Sequence, residues 1–104
     1  MAPTQLEIRT RALGRLVKEY YLYQEELLAQ QNHVRLLKSQ NHDEYEIRKQ
    51  EEVEVDTKRV MIEVSKKINE LYLVLADVVN QLDTIPTDTR ENMERAKMVG
   101  LQTI

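Results

Sequence analysis

Apolar residues recur every seven positions along the first third of the chain, in two rows offset by three residues. The rows are Leu6, Leu13, Tyr20, Leu27, Val34 and Arg9, Leu16, Tyr23, Gln30, Leu37. Rows with this spacing form one stripe on an α-helix. Thr4-Gln5-Leu6-Glu7 is a capping box that can start such a helix. The pattern predicts a helix over about residues 4–38, with Gly14 off its apolar stripe.

A second helical pattern follows the short polar segment 39–42. Asp43 can cap it, and acidic residues in its first turn suit a helix N-terminus. Its stripe contains Ile47, Val53, Val60, Met61, Val64, Ile68, Leu71, Leu75, Val78 and Leu82. Because Pro86 cannot continue a helix interior, we expect this helix to span about residues 43–83.

A third, shorter helix is predicted over about residues 88–101. Asp88, with Glu91 three residues later, forms a cap signal, and Gly100 is a candidate C-cap. A short turn makes two long helices antiparallel neighbours. The sequence thus predicts an all-α fold, a three-helix up-down-up antiparallel bundle, in a single domain covering residues 1–104.

Composition supports this class. Two glycines and two prolines are too few for a turn-rich β-sandwich or barrel. The absence of cysteine excludes disulfides and thiolate sites. The longest apolar run, Leu71–Ala76, is far shorter than a membrane span, and the first residues lack the apolar core of a secretory signal. We therefore expect a cytoplasmic protein that does not bind membranes.

Charge is unevenly distributed along the chain. Residues 1–42 carry six basic and four acidic groups, whereas residues 43–83 carry six basic and eleven acidic groups. An acidic central segment argues against binding to a phosphate backbone. Long helices also differ from the short basic recognition helix of a helix-turn-helix protein. We expect no nucleic-acid partner.

The residue types that carry catalysis are scarce and scattered. His33 and His42 lack the companions of a metal or acid–base site, and no nucleophile motif surrounds Ser39 or Ser65. Two isolated glycines cannot form a phosphate-binding loop. We therefore predict no enzymatic activity, no metal and no cofactor.

Several apolar residues fall outside the stripes of the two long helices. They are Ile8, Tyr21, Leu22, Leu28, Ala29, Leu36, Val55, Ile62, Tyr72, Leu73 and Val79. Some can pack on the third helix, but that helix is too short to cover both long ones. The remainder should form an exposed apolar surface, which is typical of a protein interface. The acidic patch of Glu51, Glu52, Glu54 and Asp56 is either a solvated helix face or part of a docking surface.

Two charged strings resemble the tubulin-folding cofactor A family, also called tubulin-specific chaperone A. The first is Arg15-Leu16-Val17-Lys18-Glu19, followed by two tyrosines. The second is Tyr45-Glu46-Ile47-Arg48-Lys49-Gln50-Glu51-Glu52-Val53, followed by Asp56-Thr57-Lys58-Arg59. The opening six residues resemble fungal members most. The resemblance covers about residues 1–82 in register.

This resemblance implies a non-enzymatic, cytosolic three-helix bundle. Family members bind β-tubulin after chaperonin release and take part in assembly of the αβ-tubulin heterodimer, together with other tubulin-folding cofactors. The positions carried over as the β-tubulin surface are Arg15, Lys18, Glu19, Tyr45, Lys49, Gln50, Glu52 and Lys58. Leu16 and Val53, in the same strings, are expected in the core.

The chain departs from the family pattern at two places. Ile62 stands where family members commonly have a proline within the second helix. Glu54-Val55 reverses the usual order of an apolar and a polar residue, which would place an apolar side chain at the surface. The alternative function is a helical coiled-coil adaptor or homodimeric scaffold without tubulin binding, because the exposed apolar rows could pair two copies.

Overall fold

The three predicted helices are all present in the computed structural model, which describes residues 2–102. Helix α1 spans Gln5–Ser39, α2 spans Glu44–Val79 and α3 spans Thr87–Gln102. They form an up-down-up bundle with principal extents of 61 × 30 × 18 Å. The predicted fold class is confirmed, and the molecule is a rod rather than a sphere.

Local hydrogen bonds set the start of α1 and the turn into α2. The Thr4 hydroxyl accepts a bond from the Glu7 amide at 3.1 Å, as the capping box predicts. In the turn, the Asn41 amide bonds to the Lys38 carbonyl and the His42 amide to the Leu37 carbonyl. This is a Schellman motif, and it requires the left-handed φ of 53° observed at Asn41.

One apolar core joins all three helices. Its buried members are Leu13, Val17, Tyr20, Met61, Val64, Ile68, Leu75, Ala96 and Val99. The Tyr20 ring packs edge-on against that of Tyr21, with centroids 5.6 Å apart. Burial raises the pKa of the Tyr20 hydroxyl above 10.0, and neighbouring Tyr21 adds to the rise. The core lies away from the α1–α2 turn, where buried Val34 and Leu37 stand outside it.

Helix α2 ends at Val79, four residues earlier than predicted. The amides of Gln81 and Leu82 bond to carbonyls three residues back, those of Val78 and Val79. Such bonds tighten and close the last turn of a helix. Leu82 therefore leaves the apolar stripe that the heptad pattern assigned to it, and 39% of it is exposed.

Helix α3 also differs from its predicted ends. It begins at Thr87, one residue early, because the Pro86 carbonyl accepts the amide of Arg90 at 3.1 Å. Asp88 is therefore inside the first turn, where its carboxylate accepts from the Thr89 amide. Gly100 is not a C-cap: its φ is negative, and the helix continues to Gln102.

A polar seam attaches α3 to α1. The hydroxyls of Thr10 and Thr89, both buried, are 2.8 Å apart. The Asn92 side-chain amide donates to the Thr10 carbonyl at 3.0 Å. Gly14 lies directly opposite, and a Cβ added there would be 2.9 Å from Asn92 Nδ2. Gly14 is thus off the stripe that faces α2, as predicted, but it faces α3 rather than solvent.

Candidate functional site

Helix α3 covers only one end of the α1–α2 hairpin. With 16 residues it is about 24 Å long, against about 52 Å for α1. Its first turn is attached to Thr10, near the start of α1, so it lies at the end remote from the turn. The half of the hairpin nearest the turn consists of two helices alone.

The expectation of an exposed apolar surface is confirmed. Of the apolar residues outside the stripes, Ile8, Leu22, Leu28, Ala29, Leu36, Val55, Ile62 and Leu73 are exposed. The other three pack inward: Tyr21 and Tyr72 are half-buried against the core, and Val79 is buried. Exposed apolar residues on both long helices are the first feature of a protein-binding surface.

The predicted site residues of α1 lie on its outward side. Arg15, Lys18 and Glu19 are all exposed, while their neighbours Val17 and Tyr20 are buried in the core. The helix therefore presents the three charged side chains to solvent, where a partner could reach them.

The predicted residues of α2 divide between its sides. Tyr45, Lys49 and Glu52 are exposed, and Lys49 Nζ lies 5.1 Å from the centre of the Tyr45 ring. This distance is that of a cation–π contact. Gln50 is half-buried and offers little surface. Lys58 is exposed but nine residues from Lys49, which is about half a turn around the helix at 3.6 residues per turn.

The α1 and α2 residues do not meet in one cluster. Counted along the helices at about 1.5 Å per residue, Glu19 lies about 30 Å from the turn and Lys58 about 21 Å. Tyr45 lies directly after the turn. The structure thus separates an α1 surface of Arg15, Lys18 and Glu19 from an α2 surface of Tyr45, Lys49 and Glu52, while Lys58 lies on the opposite side of α2.

One of the two predicted core positions in the resembling strings is wrong. Leu16 is half-buried and packs against the core, but Val53 is 41% exposed. The buried side chain on this part of α2 is Thr57, whose hydroxyl donates to the Val53 carbonyl at 3.1 Å. The heptad pattern drifts around a 3.6-residue helix, so Val53 turns away from α1. Val55 is exposed, as the reversed Glu54-Val55 order predicts.

Sequence reasoning missed Arg11 as a candidate. It is exposed and lies with Ile8, Arg15 and Lys18 along a shallow open groove that Gly14 also lines. The signal was present in the sequence, because positions three and four residues apart share one face of a helix. The resembling string began only at Arg15, which left Arg11 outside it.

The described residues present open surfaces along the helices. Among residues 2–102, no group of three or more histidine, aspartate or glutamate side chains is arranged to hold a metal ion. His33 is exposed, and His42 Nδ1 lies 3.5 Å from a carboxylate oxygen of Glu46. The grooves along the helices are open and lined by mixed side chains.

Within that same part of the chain, none of the helices is both apolar enough and long enough to cross a lipid bilayer.

Comparisons with known proteins agree on one family. The chain is 51% identical over 71 residues to tubulin-specific chaperone A of Saccharomyces cerevisiae, covering 67% of each chain. It is 25% identical over 96 residues to the human tubulin-specific chaperone A, covering 91% of this chain and 86% of that protein.

A solved structure shares the fold. Rbl2p, a β-tubulin binding post-chaperonin cofactor, superimposes with a TM-score of 0.84 at 37% identity, over 92% of this chain and 97% of that one. The family model for tubulin binding cofactor A matches residues 1–99. Sequence, fold and open helical surfaces lead to one conclusion: the chain belongs to the tubulin binding cofactor A family.

Proposed function

We propose that this protein is a tubulin-folding chaperone that binds β-tubulin after its release from the chaperonin and takes part in assembly of the αβ-tubulin heterodimer. One observation carries the proposal. The three-helix rod matches a β-tubulin binding post-chaperonin cofactor over nearly the whole of both chains. A match of that extent includes all three helices and the way they pack.

The proposed role is non-catalytic and cytoplasmic. Holding a partially folded protein requires surface that complements its exposed apolar and charged groups. The rod supplies such surface on both long helices, at Leu22, Leu28, Ile62 and Leu73 among others. In this role the rod binds its partner and supplies no reacting group.

The residues that we propose to contact β-tubulin lie on two surfaces. The α2 surface contains Tyr45, Lys49 and Glu52, and the α1 surface contains Arg15 and Lys18. Tyrosine and arginine are the anchors, because these types dominate the energetics of protein interfaces. Glu19, Gln50 and Lys58 complete the proposed set; half-buried Gln50 contributes least, because little of it is accessible.

The test is capture of chaperonin-released β-tubulin by the purified chain, with α-tubulin as the control ligand. We expect β-tubulin to be retained selectively. The double variant K49E/E52K keeps the net charge but reverses two charges on the α2 surface, and it should reduce capture.

The matched control is E63K/K66E. This variant also keeps the net charge, and it swaps an exposed ion pair whose atoms are 3.7 Å apart on the same helix. Loss of capture in both variants would show a general dependence on α2 charge. Retention of β-tubulin by a folded K49E/E52K protein would remove this surface from the proposal.

A homodimeric scaffold is the second candidate, and the exposed apolar rows favour it. Sedimentation equilibrium distinguishes the two. A mass near 12.3 kDa at every concentration removes the scaffold, since that is the mass of one chain. A dimer without any β-tubulin capture would favour the scaffold over the chaperone.

A further inference from the structure

Five side chains form a single line along the outer face of α1. They are Ile8, Arg11, Arg15, Lys18 and Leu22, and we call them the basic stripe. The spacing alternates between three and four residues, which keeps them on one face of the helix. All five are exposed, including 44% of Ile8 and 56% of Leu22. Three cations thus lie between two apolar ends.

No cation of the basic stripe forms an ion pair in the part of the chain that the structure describes. Across residues 2–102 the ion pairs are His42–Glu46, Arg59–Asp56 and Lys66–Glu63, none of which involves the stripe. Glu7 and Glu19 lie four residues from Arg11 and Arg15, yet neither pairs with them. For Arg15 and Glu19 the order is the less favourable one on a helix.

Like charges at these spacings destabilise a helix by a few tenths of a kcal/mol per pair. Arg11 and Arg15 are four residues apart, and Arg15 and Lys18 are three apart. The chain as a whole carries a net charge of −3, so the stripe is a positively charged region of a negatively charged protein. The three cations repel one another without any benefit inside the monomer, which points to compensation from outside.

The shape of the stripe suits a narrow ligand. An open groove runs beside Arg11, Arg15 and Lys18, and Gly14 of the same helix also lines it. A second groove continues from Gly14 past Leu22 to Glu25 and to Arg95 of α3, so one acidic and one basic side chain lie at its far edge. The cations extend over about 10 Å and the apolar ends over about 21 Å, at 1.5 Å per residue.

We infer that the basic stripe docks a short acidic, amphipathic segment of a protein partner. Its carboxylates would lie on Arg11, Arg15 and Lys18, and its apolar residues on Ile8 and Leu22. Arginine suits this role because its planar guanidinium can bind a carboxylate through two parallel hydrogen bonds. The inference rests on the proposed function, since it assigns the segment to the bound β-tubulin.

A nucleic acid or a membrane fits the stripe less well. Both present extended arrays of negative charge that reach far beyond three cations. The stripe offers such an array only three cations, in a chain whose net charge is −3. A short acidic segment matches that limited length of positive charge.

The first test uses a fluorescent peptide of 15 residues with three glutamates between two leucines, at the spacing of the stripe. Fluorescence anisotropy measures its affinity for the intact chain. The variant R11E/R15E/K18E should lower the affinity by about tenfold or more, and added salt should weaken binding to the natural protein. The control R35E/R48E/K67E makes the same charge change at three exposed residues outside the stripe. It should keep the affinity within about twofold.

A neutral variant distinguishes loss of peptide binding from loss of folding. R11Q/R15Q/K18Q keeps good helix formers and removes the repulsion, so its melting temperature should equal or exceed that of the natural protein. It should still lose peptide affinity. An equal loss of peptide affinity in the control R35E/R48E/K67E would show that only net charge matters, and it would overturn the inference. Binding of anionic vesicles or a DNA oligonucleotide through the same residues, without peptide binding, would overturn it as well.

Capture of β-tubulin separates the two proposals. If the natural protein binds β-tubulin and R11E/R15E/K18E binds it equally well, the basic stripe is not the docking site and the proposed function stands. If the natural protein does not bind β-tubulin, the proposed function fails. The assignment of the segment to β-tubulin then fails with it, and the peptide assay alone decides whether the stripe recognises acidic segments.

Discussion

Substitution of Gly14 by alanine tests the seam between α1 and α3. In an isolated helix this change stabilises by about 1 kcal/mol, because glycine has the greater backbone entropy. Here the new Cβ would lie 2.9 Å from Asn92 Nδ2, closer than a normal contact. Asn92 must move, and its hydrogen bond to the Thr10 carbonyl is lost. That bond contributes about 1 kcal/mol.

The two effects nearly cancel, so Gly14→Ala alone should change the free energy of unfolding by less than about 0.5 kcal/mol. In an Asn92→Ala background, the side chain that blocks the new Cβ and its hydrogen bond to the Thr10 carbonyl are both absent. The same Gly14→Ala change should then stabilise by about 1 kcal/mol. The predicted coupling energy is therefore about 1 kcal/mol, and the helix propensity at position 92 cancels in the cycle.

Urea denaturation of the four proteins, followed by circular dichroism, measures this cycle. Gly100→Ala is the matched control, because a Cβ at Gly100 would have no atom within 4 Å. Its effect should be the same with or without Asn92. Additivity of Gly14→Ala and Asn92→Ala to within about 0.3 kcal/mol would refute the account of this seam.

Three further predictions concern other parts of the fold. Thr10→Val leaves the Thr89 hydroxyl buried without its partner and should destabilise by about 1–3 kcal/mol in urea denaturation, whereas Thr10→Val with Thr89→Val should cost less than Thr10→Val alone. Asn41→Gly should raise the melting temperature, since glycine adopts the left-handed conformation of this turn more readily; a lower melting temperature would contradict the Schellman assignment. The raised pKa of Tyr20 gives stability that is complete below pH 10.0 and lost as pH rises through the folded-state value. The free energy of unfolding should therefore fall less steeply above pH 10.0 in Tyr20→Phe, and an unchanged slope would contradict the shift.

The helices could be predicted because their signals are local or periodic. Thr4 and Asp43 cap their helices through bonds to amides two or three residues away. Such bonds depend only on neighbouring residues and are readable in the sequence. The end of α2 was harder, because Leu82 continues the heptad pattern after the backbone has left the helix. Apolar spacing indicates where a helix could extend, whereas competing turn bonds decide where it ends.

The seam between α1 and α3 could not be predicted. It joins Thr10 to residues about 80 positions later, and no periodic signal relates them. In the sequence, Gly14 indicates only a locally destabilised helix. Its close approach to Asn92 is visible only in the structure. Contacts of this kind depend on how the helices pack, which a single sequence does not encode in a readable pattern.

The candidate site was predictable in part. Exposure of Arg15, Lys18, Tyr45 and Lys49 follows from helical spacing, and the structure agrees. Their division into two separate surfaces follows from the position of the turn and the length of the helices. The exposure of Val53 was missed, because a strict seven-residue pattern ignores the rotation of the stripe along a straight helix.

Binding to β-tubulin is the central claim, and the stoichiometry of the complex tests it most directly. Size-exclusion chromatography with light scattering should be run on the chain mixed with chaperonin-released β-tubulin, and separately with α-tubulin. The account predicts a complex of one chain with one β-tubulin and none with α-tubulin. Separate elution of a folded chain and β-tubulin would contradict it.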